Sequence, residues 1–249
     1  MTASHRGELA GRDGRDMGTH LAEGMGAAPS ALEVDELRLL IYRTFARSGV
    51  APRPVDMAKF LGGSDRAQAA LRVLAADRQL ALDSRGSIVL AHPFAGRSFG
   101  FSVMGEVTLW WGGCAWDSFA IPHLVAEAAV LVATRCGGCS TPIAVEVTRA
   151  EAPRGEVVAH FATPMANVWD DVVHACSHQL LYCSRGCLAQ WLRESASHEG
   201  STLDLSQLWC LASEWYAGRL EPGYVRREPA RAASYFAGCG LTGPFWSVG

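Results

Sequence analysis

Cys114 and Asp117 stand three residues apart in the segment Trp110-Trp111-Gly112-Gly113-Cys114-Ala115-Trp116-Asp117, and Cys176 follows sixty-two residues after Cys114 within Val172-Val173-His174-Ala175-Cys176-Ser177-His178. At positions i and i+3 of a helix, a thiol and a carboxyl group share one face, with Cβ atoms about 5–6 Å apart. A thiol at a helix N-terminus is drawn toward the thiolate by the dipole. Two thiolates and one carboxyl group form a minimal set for seizing a soft, thiophilic metal and moving a proton beside it. Trp110, Trp111 and Trp116 would line an apolar pocket around this set, and apolar burial would raise the Asp117 pKa and keep its proton available. The plainer alternative makes Cys114 a small buried hydrophobe and Asp117 a helix cap.

The remaining thiols fall into further groups. Cys136-Gly137-Gly138-Cys139 and Cys183-Ser184-Arg185-Gly186-Cys187 are two tight pairs with forty-three residues between them. Their Cys-x2-Cys and Cys-x3-Cys spacings suit a tetrahedral four-thiolate zinc site, with Gly137 and Gly138 letting the backbone turn both sulfurs toward one ion. A relay holding mercury or copper, or four non-ligating thiols, are the alternatives. His174 and His178 flank Cys176 and are expected to face solvent. Cys210 and Cys239 lie in apolar or Gly-rich surroundings and read as inert core thiols. Trp169-Asp170-Asp171 reads as a turn rather than a catalytic acid pair.

These residues need a scaffold, and the chain is long enough for one. Its 249 residues are 49% hydrophobic and 19% charged with a net charge of −3, which excludes an overall basic field for nucleic acid. No apolar run is long enough to span a membrane. The first residues carry no apolar signal core, so a cytoplasmic location is expected. In that compartment eight cysteines, all after residue 113, point to metal or catalysis rather than disulfides.

Residues 1–30 are rich in Gly, Arg and Asp without periodicity and read as a disordered tail. Leu37, Leu40, Ile41 and Phe45 then recur at helical spacing up to Gly49. Pro54 opens a second helix that stops at Gly62-Gly63, and Ser64 caps a third running to about Arg78, with Leu71 and Leu74 inward. Leu80 to Leu90 reads as two short strands around a turn. This order suggests a winged-helix-like helical domain over 31–92, and its third helix, with Arg66, Arg72 and Arg78 diluted by Asp65 and Asp77, is too sparsely basic for a DNA reader.

Residues 93–249 read as a mixed β-sheet/helix catalytic domain, giving an α+β chain overall. Strands are expected over Phe99–Val107, Val130–Arg135, Ile143–Thr148 and Glu156–Phe161. Trp110–Leu131 reads as a largely helical stretch broken near Pro122. A turn and helix are expected in Val172–Trp191, and a helix around Leu208–Leu220.

The Cys114-Ala115-Trp116-Asp117 run, followed by Phe119-Ala120-Ile121-Pro122, resembles the active-site segment of alkylmercury (organomercurial) lyases. The similarity continues through Thr134-Arg135-Cys136-Gly137 and Thr141-Pro142-Ile143-Ala144-Val145. It reaches Asp171 to His178, where the family's second active cysteine falls on Cys176; in all it covers about residues 34 to 195. It implies an enzyme that cleaves carbon–mercury bonds by protonolysis to a hydrocarbon and Hg(II), with Cys114, Asp117 and Cys176 as catalytic residues and Cys114 and Cys176 holding the mercury. The helical domain would then pack on the catalytic part rather than read DNA. The implied partners are a small organometal substrate, cytosolic low-molecular-weight thiols and a mercuric reductase that accepts Hg(II), with no membrane and no DNA. No cofactor is implied for catalysis. The chain departs from the family pattern in the second member of each Cys pair, and structural zinc at Cys136, Cys139, Cys183 and Cys187 would account for that departure. Two alternatives from other classes are a thiol-based winged-helix metal sensor and a copper- or zinc-binding protein built on the lyase fold, both without turnover.

Overall fold

The computed structural model describes residues 28–195 and 200–248. The expectation of a disordered tail over 1–30 thus falls almost wholly outside the described residues. Ser30 starts the first helix, α1 (Ala31–Ser48), through a capping box: its hydroxyl accepts from the Glu33 N–H, and Glu33 accepts from the Ser30 N–H at 2.8 Å. Leu37, Ile41 and Phe45 form its fully buried stripe. Gly49 ends it with φ +73°, and a Cβ there would run into the Leu109 carbonyl. Pro54 opens α2 (Pro54–Leu61), and Gly63, one residue before the expected Ser64, caps α3 (Ser64–Ala76).

Strands β1 (Ala81–Leu82) and β2 (Ile88–Ala91) flank the turn expected between them, and β3 (Phe94–Ala95) follows. They are not a free-standing wing. They form one edge of a seven-stranded sheet completed by β4 (Phe101–Met104), β5 (Leu109–Gly112), β6 (Ala129–Arg135) and β7 (Pro142–Thr148), in the order β1-β2-β3-β5-β4-β6-β7. Hydrogen bonding therefore runs unbroken across residue 92, from the β2–β3 pair to the β3–β5 pair.

A smaller sheet carries β8 (Val158–Phe161), β9 (Gln179–Tyr182) and β10 (Ser201–Asp204) in the order β10-β8-β9. Every pairing in both sheets is antiparallel, so the expected combination of β-sheet and helix is built on antiparallel sheets.

The remaining helices are α4 (Ala115–Ala120), α5 (Val172–Ser177), α6 (Arg185–Glu194), α7 (Leu205–Ser213) and α8 (Pro229–Gly238). The expected long helical stretch from Trp110 resolves into strand β5, helix α4 and a 3-10 turn at Ile121–His123 before β6. The aromatic Trp110-Trp111 pair favours the extended state, and Gly112-Gly113 separates it from the helix. All six residues of α4 are buried, so this short helix is held by packing rather than by propensity. Among the described residues, no helix is long and apolar enough to cross a membrane.

Candidate active site

Cys114 is the N-cap of α4 in an extended conformation, φ −162°, so it precedes the helix instead of sharing a face with Asp117. The two still meet, because the Asp117 backbone N–H donates to the Cys114 Sγ at 3.4 Å. Gly112 and Gly113 make this approach possible. A Cβ on Gly113 would lie 2.5 Å from the Asp117 Oδ2 and 2.8 Å from Leu90, and one on Gly112 would strike Ser118. On the other wall, Asp171 caps α5 by accepting from the His174 N–H, and the helix turns Cys176 inward.

Cys114, Asp117 and Cys176 are 2%, 1% and 4% exposed, and all three line one cavity of about 240 Å³. That is smaller than the roughly 300–1,000 Å³ of drug-sized ligand sites and suits a small organic group. Trp116 lines it too, with its indole N–H tied to the Leu211 carbonyl of α7 at 3.1 Å. Trp110 and Trp111 do not. The Trp110 indole instead donates to the Phe45 and Ala46 carbonyls, satisfying the C-terminal end of α1, and its neighbour points to the opposite side of β5. The cavity's other tryptophan walls are Trp169 and Trp215, joined by Tyr216, Tyr224 and Phe236, none of which sequence spacing gave reason to select.

Two further residues absent from the sequence expectations hold the carboxyl group. Tyr216 donates its hydroxyl to the Asp117 Oδ1 at 2.6 Å, and the His92 Nδ1 lies 2.9 Å from Oδ2. The side-chain ligand atoms of His92, Asp117 and Cys176 all lie within 4.8 Å of one another. Arg219 braces the pair from behind: it donates to the His92 carbonyl at 2.9 Å and the Tyr42 hydroxyl at 2.6 Å, and its guanidinium lies over the Tyr216 ring. The only hint in the sequence was composition, since a Tyr and a His that must satisfy a buried carboxylate need not be near it in the chain.

This environment reverses the expected protonation pattern. Burial pushes the Asp117 carboxyl pKa up, but the His92 imidazole and the bonds from His92, Tyr216 and Cys114 outweigh it, and the group lies below its ordinary value. The apolar tryptophan pocket expected to raise it is therefore corrected. Burial, then the bond to Cys176 and the Asp117 charge, carry the Cys114 thiol well above its ordinary range. For Cys176 the contact with Cys114 pulls down, while burial and the Asp117 charge together leave it raised. At neutral pH the resting site is thus two neutral thiols beside one carboxylate. Tyr216 is raised well above the ordinary phenol by burial and by the Asp117 charge, so it stays a donor.

Of the other expected residues, Cys136, Cys139, Cys183 and Cys187 converge on one another away from the cavity. His174 and His178 are exposed, their rings 4.1 Å apart. Asp170 and Asp171 are also exposed, the latter serving as the α5 cap. Cys210 and Cys239, expected as reduced core thiols, form a disulfide with Cα atoms 5.6 Å apart, and the Tyr235 hydroxyl of α8 donates to the Cys210 carbonyl beside it at 2.7 Å.

Two buried thiols and an ionised carboxylate on an antiparallel α+β scaffold define a dithiol–carboxylate site, suited to binding a soft metal and transferring a thiol proton. Residues 95–217 match the family model described as MerB, alkylmercury lyase. Over that segment the chain belongs to the alkylmercury lyase family, and so to enzymes of the lyase class. A solved structure described as the mercury-bound form of MerB2 is similar in fold, with a TM-score of 0.58 at 17% identity over 78% of this chain and 93% of that one. No curated protein matches.

Proposed function

We propose that this chain cleaves the carbon–mercury bond of a small organomercurial, delivered as a thiol adduct, with Cys114 and Cys176 as mercury ligands and Asp117 as proton carrier. The observation that carries this is the convergence of the three side chains in one buried cavity. The substrate R–Hg–SR′ and two cysteine thiols become R–H, R′SH and mercury bonded to both cysteine sulfurs. Cys114 adds to mercury first, and its proton leaves with the displaced carrier thiol. Cys176 adds second and gives its proton to the Asp117 carboxylate, which lies within reach of its sulfur. The second sulfur makes mercury more electron-rich and weakens its bond to carbon. That bond then breaks with its electron pair on carbon, and Asp117 delivers the proton there.

The lowered Asp117 pKa serves both halves of this transfer. An ionised carboxylate is ready to accept the thiol proton, and an acid of low pKa surrenders it readily to a developing carbanion. Mercury overcomes the raised thiol pKa values because binding a soft metal displaces the thiol proton. His92 and Tyr216 are positioning residues that keep both carboxylate oxygens aimed. The expected raised-pKa general acid is replaced by a carrier that starts empty.

A DNA-binding sensor is less well supported. On α3, Arg66 is ion-paired with Glu33 at 2.6 Å and Arg72 is exposed, while Arg78 lies beyond the end of the helix and lines the cavity. The test is hydrocarbon release by the reduced protein from methylmercury or phenylmercury in excess thiol, beside Cys176→Ser. Multiple turnovers that vanish in the variant support the mechanism. Stoichiometric mercury uptake without methane or benzene would overturn it.

A further inference from the structure

Outside the active cavity, the most organised group of reactive side chains is the cluster of Cys136, Cys139, Cys183 and Cys187. Cys136 ends the β6 side of the β6–β7 hairpin, and Cys139 sits in its turn. Cys183 follows β9, and Cys187 lies in the first turn of α6, its N–H bound to Ser184. These positions belong to different sheets, yet all four sulfurs lie within 4.8 Å of one another. Cys136 and Cys187 are 3.5 Å apart and Cys139 and Cys183 3.7 Å apart, where a disulfide would need about 2.05 Å. A tetrahedral ion with bonds of about 2.3 Å sets its sulfurs about 3.8 Å apart. The cluster therefore already has the size of a four-thiolate zinc cage.

The surroundings are built for charge on these sulfurs. The Cys183 N–H donates to the Cys136 Sγ at 3.3 Å, and Cys187 lies in the first turn of α6, at the positive end of its dipole. Arg135 folds back to the Ser140 carbonyl at 3.1 Å, which keeps a cation over the turn. The two glycines between the first cysteines are required. A Cβ on Gly138 would lie 2.9 Å from the Cys187 Sγ, and one on Gly137 would lie 2.9 Å from the Tyr182 ring. The hairpin thus has glycine where it must press against the partner cysteines. The Gly137 N–H closes the approach by donating to the Leu181 carbonyl of β9 at 2.9 Å.

We infer that Cys136, Cys139, Cys183 and Cys187 bind one structural zinc ion that pins the β6–β7 hairpin to the junction of β9 and α6. Four thiolates with no open position define a closed structural site rather than a catalytic one. None of the four lines the active cavity, so the site is not a station on the path of the substrate. Its effect on the cavity is mechanical. Strand β9 begins three residues after Cys176, and its first residue, Gln179, lines the cavity; zinc fixes the far end of that strand. The inference stands independently of the lyase reaction.

The test is metal analysis of the full chain purified reduced and without chelator, followed by replacement with Co(II). The expected result is one zinc per chain, and a cobalt form with the visible bands and intense thiolate-to-metal charge transfer of a tetrahedral tetrathiolate. The double variant Cys114→Ser/Cys176→Ser should retain both, and Cys139→Ser or Cys183→Ser should lose the zinc. Zinc removal should also lower the thermal midpoint and speed amide exchange in β9 and the start of α6. Because the cobalt spectrum is read on the unaltered protein, it decides the matter even where a cysteine variant fails to fold. A folded chain without zinc, a spectrum of fewer than four thiolates, or metal that departs with Cys114 and Cys176 would overturn the inference.

Discussion

Replacing Tyr216 with Phe removes a single oxygen and probes the charge state on which the proposed proton transfer depends. The hydroxyl lies 2.6 Å from the Asp117 Oδ1 with both groups buried, and among the described residues no other side-chain hydrogen bond to that oxygen is present. A hydrogen bond to a buried charged group contributes about 1.5–3 kcal/mol. At 1.36 kcal/mol per pH unit, its loss moves the Asp117 midpoint up by about one to two pH units. Because the folded carboxyl lies below its ordinary value, Asp117 contributes stability above the ordinary carboxylate range, and that contribution is lost as pH falls through the lowered pKa.

Tyr216→Phe should therefore shift the acid limb of kcat/KM for benzene release from phenylmercury upward by about one to two pH units. It should also lower stability at neutral pH by about 1.5–3 kcal/mol in urea unfolding. The fold is checked by circular dichroism at each pH. An acid limb that stays in place would refute the role of Tyr216 in holding an ionised carboxylate. A variant faster than the parent near neutrality would refute the carrier itself, since it would mean that the resting enzyme works through a protonated Asp117.

Two further perturbations separate aim from support. In Gly113→Ala the new Cβ would sit 2.5 Å from the Asp117 Oδ2 and force the carboxylate aside, so kcat for hydrocarbon release should fall about a hundredfold, as expected for a displacement near 1 Å, with mercury binding retained. Unchanged single-turnover rates would show that the approach is not needed. Arg219→Met leaves the His92 carbonyl without its buried donor and should cost about 1–3 kcal/mol in chemical denaturation. Loss of activity at full stability would instead assign Arg219 to the substrate.

Much of this chain was legible in its sequence because the signals are local. Gly49, Pro54 and Gly62 mark helix ends by backbone chemistry within one turn, and Leu37, Ile41, Leu71 and Leu74 mark the buried faces, whereas the Ser30–Glu33 cap of the first helix was passed over as tail. Cys114, Asp117 and Cys176 were selected by side-chain type and spacing, as were the two Cys pairs. The Trp110–Leu131 stretch misled because apolar content cannot separate a buried strand from a buried helix, and the glycines at 112 and 113 divide the two.

Tertiary structure decided what those residues experience. His92 and Tyr216 reach Asp117 from 25 and 99 residues away, and their bonds reverse the direction in which burial alone would move its pKa. Trp110 was turned from the cavity to the end of α1 by the side of β5 it occupies, and Cys210 met Cys239 across 29 residues of chain. The sequence determines which groups are present and how the backbone between near neighbours must run. Solvation, hydrogen-bond partners and charge at a site depend on through-space distance, which only the folded chain sets.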